Sequence, residues 1–237
     1  MAQFYTHENL NTSEAEKYRK KKNMWYILAF ICFALANLTR GLTGIPFFIF
    51  MLLGVSTDRK YRMLKSGVDG EQQTQRIVSH LPDNYVAISN VKVEANGKSE
   101  LDLVVVGDNG VFVIETKNHN GTIVGNTADE RWTQHKVGRK GGEYSKDMYI
   151  PVKQVGTHVF RLSKFLKLNG INVWVQGIVY FSNYQAVVEV NQNLNNAPPV
   201  FAASEDGVRE LVHYISYYNG KNKVDKNTFE EIVNLLK

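Results

Sequence analysis

The chain is poor in cysteine and in charge of one sign, and each shortage removes a class of protein. One cysteine, Cys32, among 237 residues excludes an intramolecular disulfide framework and a Cys-rich zinc site. The six histidines show no metal-ligand spacing. A formal net charge of +5 suggests a nucleic-acid binder until it is divided along the chain. Residues 1–56 hold six Lys/Arg and three Asp/Glu, which leaves 22 and 20 for the rest, so bulk charge says little about the partner of the larger part. There is no internal repeat and no low-complexity segment. Apolar residues at 43% and charged residues at 22% exclude wholesale disorder and collagen-like repeats. The length suits roughly one to two domains with a core that needs no disulfides.

What is present divides the chain near residue 57. Residues 1–23 are a polar lead ending Tyr18-Arg19-Lys20-Lys21-Lys22, and two apolar runs follow at 24–38 and 45–55. Thr39, Arg40, Gly41, Gly44 and Pro46 interrupt them. As one helix, 24–56 would be about 50 Å long, far beyond the ~30 Å hydrocarbon core of a bilayer, with Arg40 at its centre. Pro46 suits the first turn of a new helix. A membrane-associated helical hairpin over 24–56 is therefore expected. Each arm is short for a full span, so tilted spans and a shallow re-entrant hairpin both fit. Arg19 to Lys22 before it and Arg59-Lys60-Tyr61-Arg62 after it place both ends on the cytoplasmic side by the positive-inside rule. The expected location is thus the cell membrane, with 57–237 facing the cytoplasm. A signal peptide cleaved after Ala34-Leu35-Ala36 competes, against a 23-residue lead and an immediate second apolar run. A buried hairpin of a soluble domain competes as well.

From residue 57 the pattern alternates between α and β. Glu71, Thr74, Val78 and Leu81 form one stripe of a helix over 70–81. Residues 85–94 alternate and are β-branched, as in a strand. Two further strands, 101–106 and 111–117, flank the turn signal Gly107-Asp108-Asn109-Gly110. Short strands are expected at 122–124 and 132–136, then a Gly- and charge-rich loop over 139–146. Pro151 opens a helix that Gly170 closes, striped by Val152, Val155, Val159, Leu162 and Leu166. Residues 173–181 read as a strand buried on both faces, and a weaker strand at 200–202 precedes a helix over 206–218. Thr228 with Glu231 resembles a capping box for a last helix.

Chemistry appears in the strand hairpin. Asp102, Glu115 and Lys117 lie in otherwise apolar strands. A four-residue loop sets Asp102 opposite Glu115; a two-residue Asn109-Gly110 turn sets it opposite Lys117. In both registers the three share one face, and only a three-residue loop separates them. Facing carboxylates repel, so something positive should lie between them. Lys117 is one candidate and a divalent cation, Mg²⁺ or Mn²⁺, is another. Such an ion at Asp102 and Glu115 polarises a phosphoryl oxygen and activates water; the lysine can orient that water or stabilise developing charge. Glu71, on the core-facing stripe of its helix, needs a partner. A cross-strand Asp–Lys pair that only stabilises the sheet competes with this reading. Arg139, Lys140 and Lys146 are the best phosphate patch, with a solvated loop as the alternative. Trp132 is expected in the core rather than as a base-stacking platform, and His158 at a helix surface or boundary.

The run Gly67-x-x-Gly70-Glu71, then Glu100-Leu101-Asp102-Leu103-Val104-Val105-Val106, then Gly110-Val111-Phe112-Val113-Ile114-Glu115-Thr116-Lys117 with Gly121, resembles the NERD (nuclease-related) domain. That family is similar to the PD-(D/E)xK nuclease superfamily. Trp132 and the helix carrying Gln154 and His158 extend the resemblance, which covers about 66–181. It implies a restriction-endonuclease-like α/β core, a mixed central sheet flanked by helices. It further implies Asp102 and Glu115 as metal ligands, Lys117 as catalytic lysine, Glu71 as accessory acid and Gln154 as a supporting polar residue. Where family members often carry Asn-Pro before that helix, this chain has Ile150-Pro151. The function expected is a membrane-anchored, divalent-metal-dependent nuclease acting on DNA or RNA. A non-catalytic nucleic-acid or protein interaction module that keeps the fold is the alternative.

Overall fold

The computed structural model describes residues 1–36, 38, 41–138, 141–191, 197–220 and 223–237. They form two compact units, Asn9–Asp69 and Met1–Glu8 with Gly70–Lys237.

The first unit consists of α1 (Leu10–Ala34) and the greater part of α2 (Gly44–Val78). Asn9 caps α1, its side chain accepting from the Thr12 N–H. The helices pair antiparallel: Phe33 meets Phe47, Trp25 stacks on Phe50 at 5.8 Å, and Lys22 Nζ lies 3.4 Å from Asp58 Oδ1. The hairpin's bounds differ from those expected. α1 takes in much of the polar lead, and α2 runs without a break through residue 57, so the expected helix over 70–81 is its C-terminal end. Gly67 and Gly70 cost an interior helix about 1 kcal/mol each, too little to stop a helix that tertiary packing holds. Many apolar side chains of this unit stay exposed, Phe30 at 70%, Ile45 at 75% and Leu52 at 71% among them. Among the described residues, no helix is long and apolar enough to cross a membrane.

After α2 the second unit runs β2 (Val86–Glu94), β3 (Lys98–Gly107), β4 (Gly110–Lys117), β5 (Gly121–Asn126), β6 (Arg131–Val137), β7 (Glu143–Tyr149) and α3 (Pro151–Leu168). It continues with β8 (Val175–Phe181), β9 (Ala186–Asn191), β10 (Val200–Ala202), α4 (Glu205–Ser216) and α5 (Lys226–Leu236). A mixed six-stranded sheet has the order β1-β2-β3-β4-β8-β10, where β1 (Gln3–Thr6) joins from the N-terminal end. The expected polar lead thus begins with an edge strand, parallel to β2. α3 and α5 cover one face through Val155, Leu162, Leu166 and Ile232; the end of α2, with Leu81 just past it, and α4 cover the other through Val78, Leu211 and Ile215. With both faces covered, the central strands are apolar throughout, as Val104, Val105, Val113 and Ile114 are.

A second sheet, β7-β6-β5-β9, was not expected. The parallel pair β4/β8 of the first sheet continues past a kink as the parallel pair β5/β9 of the second. At the kink Asn183 Nδ2 donates to Asn118 Oδ1, 2.9 Å away, and Gly121 takes φ +84°. A Cβ at Gly121 would run into the His135 carbonyl, so only glycine allows this approach of β6. Residues 143–146, expected in a loop, instead belong to β7, which lacks apolar alternation because six of its seven residues are exposed. The last helix is capped by Asp225, which accepts from the Asn227 and Thr228 N–H groups, not by a Thr228–Glu231 box.

Candidate active site

The β3–β4 turn is the two residues Asp108-Asn109, tighter than the four-residue loop, since Gly107 still pairs with Gly110. Leu103 faces Ile114, so the register is the one that sets Asp102 opposite Glu115. Beyond that pair the ladder gives way to the carboxylate: Asp102 Oδ2 accepts from the Thr116 N–H at 2.8 Å. Asp102 is partly buried and Glu115 is 2% exposed.

Glu115 is held from two sides. Lys117 Nζ donates to its Oε1 at 2.7 Å, and His158 Nε2 lies 3.2 Å from its Oε2. Lys117 Nζ also donates to Gln154 Oε1 at 2.9 Å. Gln154 and His158 are one turn apart on α3, and Pro151 starts that helix at the point that aims both at the sheet. His158 Nδ1 meets Ser99 Oγ at 3.2 Å, and Arg161 donates to the same Oγ at 2.6 Å and to the Lys98 carbonyl at 2.8 Å. His158 sits at the boundary, as expected, its side chain 12% exposed, but it also faces Glu115, a site role the expectation did not include. The signal was available, because a helical residue four after Gln154 shares its face.

Glu71 arrives from the opposite side of the sheet. α2 passes so close to the kink that a Cβ on Gly70 would come within 2.6 Å of Asn118 Cβ and 2.7 Å of Ser182 Oγ. Thr74 accepts from the Thr116 hydroxyl at 3.1 Å and itself donates to the Gly70 carbonyl. Glu71 is thereby buried, at 9% exposure.

Burial, then the charges of Glu115 and Glu71, push the Asp102 carboxyl well above the usual carboxylate range; the Thr116 N–H and Lys117 oppose this in part. Burial alone would raise Glu115 too, but the His158 hydrogen bond and the charge and hydrogen bond of Lys117 outweigh it and hold Glu115 low. The pair is thus uneven, with Glu115 ionised and Asp102 inclined to keep its proton. Hard carboxylate oxygens that crowd negative charge in this way fit Mg²⁺ or Mn²⁺, ions commonly held by one or two carboxylates with water and phosphate oxygens completing the shell. Among the described residues, no group of three or more His, Cys, Asp or Glu could hold a metal, so the remaining ligands would come from water and substrate.

The expected phosphate patch is divided. Arg139 and Lys140 lie outside the described residues. Lys146 is exposed on β7, opposite Gln134 of β6. Trp132 is fully buried, stacked at 6.4 Å on Phe181, and its Nε1 donates to the Asn126 carbonyl.

Residues 66–182 match the model of a known family, the nuclease-related domain, NERD. That stretch holds Glu71, Asp102, Glu115, Lys117, Gln154 and His158 together. A curated relative, an uncharacterized protein of Bacillus anthracis, is 41% identical over 92 residues, which are 38% of this chain and 43% of the relative. The chain therefore spans less than half the length of that relative. No solved structure gives a significant match.

Proposed function

We propose that the nuclease-related domain carried at residues 66–182 is a divalent-metal-dependent phosphodiesterase acting on DNA or RNA. The observation that carries this reading is the arrangement of Asp102 opposite Glu115 with Lys117 Nζ held between Glu115 and Gln154. Asp102 and Glu115 would hold Mg²⁺ or Mn²⁺, which when bound supplies Lewis-acid polarisation of a phosphoryl oxygen and a more acidic water. Glu71 adds negative charge beside Asp102 and strengthens the demand for a cation there. Lys117 spends two of its three N–H donors on Glu115 and Gln154, which fixes the ammonium group. Its third donor can orient the attacking water or meet the charge that grows on phosphate oxygens. Water adds to phosphorus, the P–O ester bond breaks, and the leaving oxygen takes a proton.

The hairpin supports attachment to the cytoplasmic face of the cell membrane through residues 24–56. Its apolar side chains are exposed on both arms, and basic clusters flank the outer ends.

One observation favours the non-catalytic reading: Lys117 and His158 already satisfy Glu115 without a metal. The deciding experiment is Mn²⁺ binding by the full chain in detergent, followed calorimetrically, beside cleavage of labelled DNA and RNA. Saturable binding and metal-dependent cleavage, both lost in Glu115→Ala, are expected. Nucleic-acid binding without either would assign the interaction module.

A further inference from the structure

The second sheet is tied to the loop that leaves the candidate site. Lys117 ends β4, and residues 118–120 lead into β5. Gln134 of β6 donates to the Asn120 carbonyl at 2.7 Å. The His119 ring lies 6.4 Å from Phe181, the ring on which Trp132 of β6 stacks. Trp132, Gln134 and Lys136 alternate onto one face of β6, the face turned to this loop, and the first two are buried. Lys146 of β7 faces Gln134, and Tyr144 faces Lys136. Lys136 and Lys146 are therefore diagonal neighbours on that same face, typically about 7–8 Å apart.

Among the described residues, neither Lys136 nor Lys146 has an ion-pair partner. Burial and then Lys146 lower the Lys136 ammonium from its ordinary value. Burial, then Lys117, Lys136 and Lys146, pull His119 down to about 4. Two lysines without an ion pair among the described residues, close enough to His119 to lower it and on the face turned to the loop that follows Lys117, leave unfavourable positive potential that an anion would relieve.

We propose that Lys136 and Lys146, with His119 of the loop that follows Lys117, cradle a backbone phosphate of the nucleic acid next to the one presented to Asp102 and Glu115. The identity of the ligand rests on the phosphodiesterase reading; the cradle itself rests on the strand register and the 118–120 loop. It adds Lys136 and His119 to the binding residues expected from sequence and presents Lys146 from a strand face.

The test uses the full chain in detergent, in two arms. In the first, inorganic phosphate is titrated while the His119 ring is followed by NMR, its signal identified by its loss in His119→Gln. Saturable movement is expected, weakened in Lys136→Met and Lys146→Met and unchanged in Lys226→Met, a lysine of α5. In the second, binding of a labelled single-stranded oligonucleotide in EDTA is measured across a salt series. Each of the two cradle variants should flatten the slope of log K against log salt by about 0.7, while Lys136→Arg keeps it. A silent His119, or slopes that match the unmodified chain, overturns the cradle even if metal-dependent cleavage is observed. Both responses without any cleavage leave the cradle standing and remove the hydrolytic reading instead.

Discussion

His158 Nε2 lies 3.2 Å from Glu115 Oε2, one helical turn beyond the Gln154 that holds Lys117. α3 therefore fixes both ends of the Glu115–Lys117 pair. His158→Ala leaves a nearly buried carboxylate short of one partner, a loss of about 1–3 kcal/mol. Urea unfolding should show it, with partial recovery in His158→Gln, whose amide can donate. An unchanged midpoint in His158→Ala would remove His158 from the site.

Asp102 and Glu115 make opposite demands on stability and on metal binding. Asp102 has a folded value raised above its 3.8 reference, so its contribution to stability is present below 3.8 and is lost as pH rises through the folded value. Asp102→Asn removes that loss and can still accept from the Thr116 N–H. At pH 7, without metal, Tm is expected to rise by about 2–4 °C for each kcal/mol recovered, while Mn²⁺ binding falls by tenfold or more. Gain and loss together mark a site strained for a cation. A lower Tm with metal binding intact would assign Asp102 a purely structural role.

These features were legible in unequal measure. The β3–β4 hairpin was readable because β-branched residues bracket a Gly-Asp-Asn-Gly turn, and two of its three loop lengths put Asp102, Glu115 and Lys117 on one face. Which register held could not be read, since loop length alone separates them. Glu71 was readable from its apolar stripe, but not its route to Asp102, which depends on Gly70 letting α2 close on Asn118 and Ser182. The second sheet escaped notice because β7 is exposed along almost its whole length and carries no alternation. β1 escaped because four residues pairing with a strand some eighty positions away leave no local signal.

His119 supplies a pH dependence separate from the carboxylates. Its reference value is 6.5 and its folded value about 4, lowered by burial and then by the three lysines. The unfolded chain thus binds the additional proton between those limits. Stability from this group is complete above 6.5 and is lost as pH falls toward 4. His119→Phe keeps a ring against Phe181 and should flatten the fall in urea midpoint over that window. Parallel curves for variant and unmodified chain would mean His119 is not held neutral.

The hairpin makes the last prediction. Phe30 is 70% exposed and Phe48 is 66% exposed, on opposite arms of the antiparallel pair. Sinking a phenylalanine side chain into an apolar phase contributes about 1.5–3 kcal/mol, and 1.4 kcal/mol is about tenfold in partitioning. If residues 24–56 enter a bilayer, Phe30→Ser and Phe48→Ser should each lower binding to vesicles containing phosphatidylserine by about tenfold or more. The clusters at Arg19 to Lys22 and Arg59 to Arg62 add an attraction that salt screens, so about 1 M NaCl should weaken binding without abolishing it. Co-flotation of the full chain with vesicles measures all three effects. Loss of flotation in salt with no effect of the serine changes would show a surface-bound protein held by its lysines and arginines, with the apolar arms covered by something other than lipid.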